Sequence, residues 1–199
     1  MSDAFIHPTA EIHPTAFIGR NSKIWNHTQV CKGSQIEENV IVGSNVYIGA
    51  EVQIGSNCKI QNNSLIYGPT ILEEGVFVGP GVIFTNDKYP RAVNSDGTQK
   101  GSADWNIVGV RVRKGASIGA HTVCIAPLEI GEWALIAAGS TVTKNVPSFA
   151  MVAGAPARKI GWVGKLGLPL VSQGNGKFIC LNSGSNYLQL DDNTLVEAS

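Results

Sequence analysis

An aliphatic or aromatic residue returns at every sixth position through much of the chain: Ile6, Ile12, Ile18, Ile24, Val30, Ile36, Val42, Ile48, Ile54, Ile60, Ile66, Leu72, Val78 and Phe84. Four places after each stands a small or β-branched residue, as in Ala10, Ser22, Thr28, Val40, Val52, Cys58 and Val82. Neither the helical period of 3.6 nor the strand period of 2 produces this spacing. It is a hexad repeat, and each hexad is long enough for one short strand and one turn. Three hexads per coil stack residues eighteen apart over one another. The aliphatic residues then fill the corners of a continuous core, and the small residues leave room for them.

The position three after the aliphatic supports this geometry. One column reads Asn21, Asn39, Asn57, Gly75, and another reads His27, Asn45, Asn63, Gly81. Gly and Asn, and less often His, tolerate positive φ. The columns are therefore read as left-handed turn residues and not as a binding site.

The register breaks after Phe84 and resumes at Val112, Ile118, Cys124, Ile130, Ile136 and Val142. The small positions of this second run are Ala116, Thr122, Leu128, Ala134, Ser140 and Val146. The intervening residues, about 86–111, are polar and rich in turn formers, and are expected to leave the coil as a loop. A loop of that length in a compact domain points to function. Pro147 ends the repeats. Residues 1–147 thus form the repeat domain, and 148–199 a separate C-terminal part. The latter is read as a basic connection, a short helix around Ile160 to Lys165, and a β-hairpin. The hairpin joins Phe178 and Cys180 to Tyr187, Leu188 and Leu190 through Asn182-Ser183-Gly184-Ser185.

Composition narrows the function classes. Lys and Arg number 15, Asp and Glu also 15, so no basic footprint for nucleic acid or an anionic membrane is present. No apolar run is long enough to span a bilayer, and Met1-Ser2-Asp3-Ala4 leads into repeat sequence without a signal pattern. Cys31, Cys58, Cys124 and Cys180 are widely spaced, with no CxxC pair. That argues against a disulfide framework and a zinc ribbon, and predicts a cytoplasmic location.

The hexads, followed by VTKNVPSFAMVAGAPARKIGW at Val142 to Trp162, resemble the hexapeptide acyltransferases with a left-handed parallel β-helix. KIW at Lys23 to Trp25, KIQNN at Lys59 to Asn63, EEGVFVGP at Glu73 to Pro80 and FTNDKYPR at Phe84 to Arg91 resemble, more narrowly, the nucleotide-sugar 3-amino N-acetyltransferases. That group includes the UDP-2-acetamido-3-amino-glucuronate and dTDP-3-amino-3,6-dideoxyhexose enzymes. The resemblance runs from about Ala4 to Val163. The chain departs from the group at Asn26 and at Gly119-Ala120-His121.

The resemblance implies an all-β fold: a left-handed parallel β-helix with one extruded loop and a small C-terminal appendage. It implies transfer of acetyl from acetyl-CoA to the amine of a nucleotide-linked sugar, in surface polysaccharide or glycan biosynthesis. It also implies a homotrimer with sites between subunits and no metal. UDP or dTDP, a C6 carboxylate or none, and C3 or C4 amine all stay open.

Asn86 is then the first catalytic candidate, as an acceptor that orients the amine. Glu73 and Glu74 could take its proton. His121 is a further candidate base, although it stands at a turn position and the departing thiolate can take the proton instead. Tyr89, Arg91 and Trp105 of the loop are candidates for the sugar nucleotide, the aromatics by stacking and Arg91 by a bidentate anion contact. For coenzyme A, the candidates are Gly119, Ala120, Ala137 and Ala138 along the pantetheine, with Lys144, Arg158 and Lys159 at the phosphates. Two other classes compete: a γ-carbonic-anhydrase-like metal hydrolyase and a non-catalytic β-helix scaffold. The first needs three converging imidazoles. His7 and His13, six apart, lie on neighbouring faces of the triangle and cannot converge.

Overall fold

The computed structural model describes residues 4–101 and 103–198. The hexads form short strands that stack into three parallel sheets, the faces of a triangular left-handed β-helix. The first sheet has nine strands, from Phe5–Ile6 through Lys59–Ile60 to Leu135–Ile136 and beyond. The second has seven, from Glu11–Ile12 to Thr141–Val142, and the third six, from Phe17–Ile18 to Leu128–Ile130. Pairing is in register: Ile6 lies beside Ile24, Ile24 beside Val42, and Val42 beside Ile60. The loop changes the interval but not the register, since Phe77–Val78 pairs with Ser117–Ile118. Pairing resumes on the third sheet at Val110. Among the described residues there is no helix.

Both hexad positions point inward. Ile24, Ile36, Ile48, Ile54, Ile60, Ile66 and Phe84 are buried, as are Val40, Val46, Val52 and Val82. Where the small position carries a hydroxyl, it bonds to a backbone carbonyl, of its own turn at Thr70 and Ser140 and of the coil above at several others. Thr28 donates to Gly43 at 2.6 Å, Ser34 to Gly49 at 2.9 Å, and Ser64 to Gly79 at 3.0 Å. Each of these buried hydroxyls is thus satisfied and ties consecutive coils together. Burial pushes the Cys58 thiol up to about 11 and raises that of Cys124, so both behave as small core residues. At the first end the core thins: Ile6 is 42% exposed.

Both turn columns have the left-handed backbone expected of them. Asn21, His27, Asn39, Asn45, Asn57 and Asn63 lie at φ between 56° and 64°, and Gly75 and Gly81 near 70°. Glu51, Trp133 and Phe149 share that conformation without the residue type that tolerates it. Glu51 and Trp133 lay their side chains over a glycine of the preceding coil, Gly33 and Gly115, where a Cβ would collide with them.

The C-terminal part differs from the expectation. Residues 160–165 do not form a helix. Ala150–Gly154 extends the first sheet parallel to Leu135–Ile136, and Ala157–Trp162 returns antiparallel to it. The backbone of this stretch is therefore paired across strands. The chain turns back at Gly154 (φ 99°), followed by Pro156. The β-helix's first sheet thus continues beyond Pro147. The expected hairpin is present between Lys177–Ile179 and Asn186–Asp191, inside a four-stranded antiparallel sheet completed by Val171–Gly174 and Thr194–Ala198. This sheet is docked on the last coils. Tyr187 packs against Phe149 with ring centroids 5.6 Å apart, and its hydroxyl accepts from the Lys165 N–H at 3.2 Å.

Candidate functional site

The corners of the triangle decide what can meet. Asn86 follows Ile83–Phe84 and stands at the corner between the second and third sheets. Glu73 and Glu74 follow Ile71–Leu72, between the third and first. His121 lies between Ser117–Ile118 and Val123–Cys124, at the corner of the first and second. One chain therefore holds the three kinds of catalytic candidate on three different corners.

Asn86 is the root of the loop. Its side-chain N–H donates to the Gly68 carbonyl at 3.0 Å, and its backbone carbonyl accepts from the Val108 N–H at 3.1 Å. The entry and exit of the loop are thus tied at one residue. Because Nδ2 is committed to Gly68, the amide is oriented and Oδ1 is the acceptor it can present to a ligand. Thr85 holds the next coil on the same corner by accepting from the Ala126 N–H at 3.1 Å.

Glu73 and Glu74 are engaged elsewhere. Glu73 accepts from Arg111 and Arg113 at 3.0 Å each and from the Lys114 N–H at 3.2 Å. Glu74 pairs with Lys114 at 2.8 Å. Partial burial acts to raise the Glu73 carboxyl, but the bonds from Arg113, Arg111 and Lys114 outweigh it and hold the group below its usual 4.5. A depressed carboxyl is a poor base. It contributes stability instead, fully present above 4.5 and lost as pH falls through the lower folded value. Glu73→Gln is accordingly expected to flatten the acid limb of a plot of melting midpoint against pH.

His121 has φ 55° and folds its ring back over Gly81, where a Cβ would come within 2.7 Å of Nδ1. It therefore fills its own turn column. His7 and His13 each bond within their own turn, to Thr9 at 3.0 Å and Thr15 at 2.9 Å, on different corners.

The loop residues are brought together. Arg91 and Trp105 line a cavity of about 720 Å³, with Asp87 and Lys100. Tyr89 and Trp105 line a second, of about 370 Å³, which shares Asp87 and Lys100 with the first. Pro127 joins this second cavity to a third, of about 520 Å³, beside Gly109, Arg111 and Glu129. Asn145 joins the third to a fourth, of about 180 Å³, lined by Lys144, Arg158 and Lys159. The result is a trough along the corner of the second and third sheets, with the loop that Asn86 roots at one end, where Asp87 and Val108 are its nearest lining residues, and three cations at the other. The phosphates of a coenzyme fit that cationic end, whose lining includes no acidic side chain.

Gly119, Ala120, Ala137 and Ala138 lie on the corner that carries His121, away from this trough. A Cβ on Gly119 would meet the Ala138 backbone nitrogen at 2.4 Å, so its smallness serves the stacking of coils. Sequence reading missed Lys100, Asn145 and Asn193, which also line the trough. No spacing marks them, because they become neighbours of the site only through the loop and the C-terminal sheet.

Comparison with known proteins agrees with this architecture. Residues 15–50 and 51–86 match the family described as bacterial transferase hexapeptide (six repeats), and residues 33–68 match the hexapeptide repeat of succinyl-transferase. Over 52 residues, 26% of this chain and 27% of the relative, it is 52% identical to a dTDP-3-amino-3,6-dideoxy-alpha-D-galactopyranose 3-N-acetyltransferase of Aneurinibacillus thermoaerophilus. Over 113 residues it is 34% identical to the serine acetyltransferase of Haemophilus influenzae, covering 56% of this chain and 40% of that protein. The chain thus spans less than half the length of these relatives.

Among solved structures, a mutant of AntD from Bacillus cereus, an N-acyltransferase in complex with dTDP-4-amino-4,6-dideoxyglucose and coenzyme A, superposes with a TM-score of 0.56. It is 20% identical, over 81% of this chain and 84% of that one, a likeness of fold. Repeat sequence, coil geometry and family match coincide over residues 15–86, and the fold of the chain is a left-handed β-helix built of hexapeptide repeats.

Proposed function

We propose that this protein is an acyltransferase that moves the acetyl group of acetyl-CoA to the amine of a nucleotide-linked amino sugar, at C3. The observation that carries the reading is the trough with Asn86 at its loop end. It offers aromatic and cationic side chains at one end and cations at the other, and the oriented amide of Asn86 stands beside the loop end, next to the lining residues Asp87 and Val108. In this reading Tyr89, Arg91 and Trp105 take the sugar nucleotide, and Lys144, Arg158 and Lys159 take the coenzyme phosphates. Asn86 Oδ1 accepts one amine hydrogen and aims the nitrogen lone pair at the thioester carbon. The C–N bond forms as the C–S bond breaks, and the departing thiolate takes the amine proton. The chemistry then requires positioning more than a dedicated base. The partial similarity to an N-acetyltransferase acting on a 3-amino dideoxy sugar supports the acceptor class.

The similarity to serine acetyltransferases supports an alternative acceptor, the hydroxyl of L-serine. A panel of UDP- and dTDP-linked 3-amino and 4-amino sugars, with L-serine, assayed for coenzyme A release, separates the two. Turnover of a sugar with none of serine supports the proposal, and turnover of serine alone rejects it.

The assembly is proposed to be a homotrimer working in the cytoplasm. Along the outward side of the second sheet run Tyr47, Leu65, Ile83 and Val123, an apolar column on a face that would otherwise meet water. Tyr67 extends it by packing against Tyr47, the rings tilted by 50° with centroids 5.2 Å apart. Sheet faces turned to solvent usually alternate with polar residues, so a second copy is the fitting cover. A site between subunits is also the arrangement that can bring the Gly119–His121 corner of one copy to the trough of the next. Leu65→Glu with Ile83→Asp is expected to give monomers in light scattering and to lower activity at least tenfold. Unchanged trimers would contradict this face.

A further inference from the structure

The C-terminal sheet reaches the cationic end of the trough through its last turn. Asp191 shapes that turn: one carboxylate oxygen accepts from the Asn193 N–H at 2.8 Å, the other from the Thr194 hydroxyl at 2.9 Å. The turn touches the cations at two points. The Asp192 carbonyl accepts from the Lys159 ammonium, which is also held 4.1 Å above the Trp162 ring. Asn193 itself lines the cavity of about 180 Å³, together with Lys144, Arg158 and Lys159. The sheet that presents the turn is anchored on both sides. Trp162 Nε1 donates to Gln189 at 3.3 Å, and Lys165 pairs with Glu197 at 2.5 Å.

We propose that this turn is part of the acyl-donor site, with Asn193 a ligand to one phosphate of the coenzyme. The proposal rests on the assignment of Lys144, Arg158 and Lys159 to coenzyme A. Three cationic side chains and two amides, Asn145 and Asn193, line a space that suits one phosphate and is too small for a nucleotide. The Asn193 amide can donate to an anion that lysine and arginine attract, and the turn fixes Lys159 beside it. The C-terminal sheet is then a functional wall as well as a cover for the last coils. It makes donor binding depend on residues far beyond the hexads.

The test compares wild type, Asn193→Asp and Asn193→Ala, all full-length, by calorimetric titration with coenzyme A and with dephospho-coenzyme A. Aspartate keeps the size of the side chain and the backbone N–H that Asp191 holds, but places a carboxylate among the cations. Coenzyme A should bind more than about tenfold more weakly to Asn193→Asp, and about threefold more weakly to Asn193→Ala, at unchanged melting midpoint. If the Asp penalty vanishes with dephospho-coenzyme A, the 3′-phosphate is the partner, and if it persists, the diphosphate is. Equal coenzyme A affinity in all three proteins overturns the role of Asn193 and leaves the acyltransferase reading standing. Failure of the wild type to bind coenzyme A overturns that reading, and this one with it.

Discussion

Asn86→Ala is expected to lower kcat/KM for the amino sugar about 100-fold, the scale for losing one preorganised hydrogen bond at a reacting centre. The reason is the division of labour within one amide. Nδ2 is spent on the Gly68 carbonyl, which fixes the plane of the side chain and leaves Oδ1 as the acceptor that the proposed mechanism gives to the amine. Alanine removes both functions. The structural loss is small, about 1 kcal/mol for the half-buried bond to Gly68, because the backbone bond from Val108 still closes the loop. Steady-state kinetics alongside thermal melting separates the two effects. A variant that melts like wild type and turns over like wild type removes Asn86 from the mechanism.

The second large effect is expected at Gly68, the other partner in that bond. A Cβ there would stand 1.7 Å from the Ala50 carbonyl oxygen, a backbone atom fixed in the coil below. No side-chain rotation relieves this, so Gly68→Ala must shift the coil. The expected cost is about 3 kcal/mol, read as a drop of roughly 6–12 °C in melting midpoint for a chain of this size. The shift also moves the carbonyl that holds Asn86, so activity should fall even at temperatures where the variant stays folded. Gly75→Ala is the contrast. A Cβ at Gly75 meets nothing within 4 Å, and only its φ of 70° opposes the change. A Gly68→Ala protein as stable as Gly75→Ala would show that the close approach is not a real constraint.

These two residues show how far the sequence could be read. The hexads determine the coil, because two inward positions every six residues, one large and one small, admit one stacking. The columns Asn21-Asn39-Asn57-Gly75 and His27-Asn45-Asn63-Gly81 disclose the turns, because few residue types tolerate positive φ. Asn86 is visible as the residue where the repeat stops. Its partner Gly68 is not, since a glycine within a repeat rich in glycine carries no mark of its contact.

Glu73 and Glu74 look like free carboxylates until Arg111, Arg113 and Lys114 arrive from beyond the loop. The expected helix at 160–165 fails for a related reason. The Leu135–Ile136 edge recruits Met151 and Val152, and the strand that follows pairs back onto them. Tertiary pairing thus overrides local preference. Asn193 escapes notice altogether, because the sheet that carries it meets the trough only after the whole helix has wound.

The most direct measurement of the central claim is coenzyme A release from acetyl-CoA in the presence of a nucleotide-linked 3-amino sugar, with the product identified by mass spectrometry. A stoichiometric N-acetylated sugar nucleotide is expected, formed by the wild type and about 100-fold less efficiently by Asn86→Ala. Acetyl transfer to L-serine with every amino sugar untouched, or no acetyl transfer to either, would contradict it.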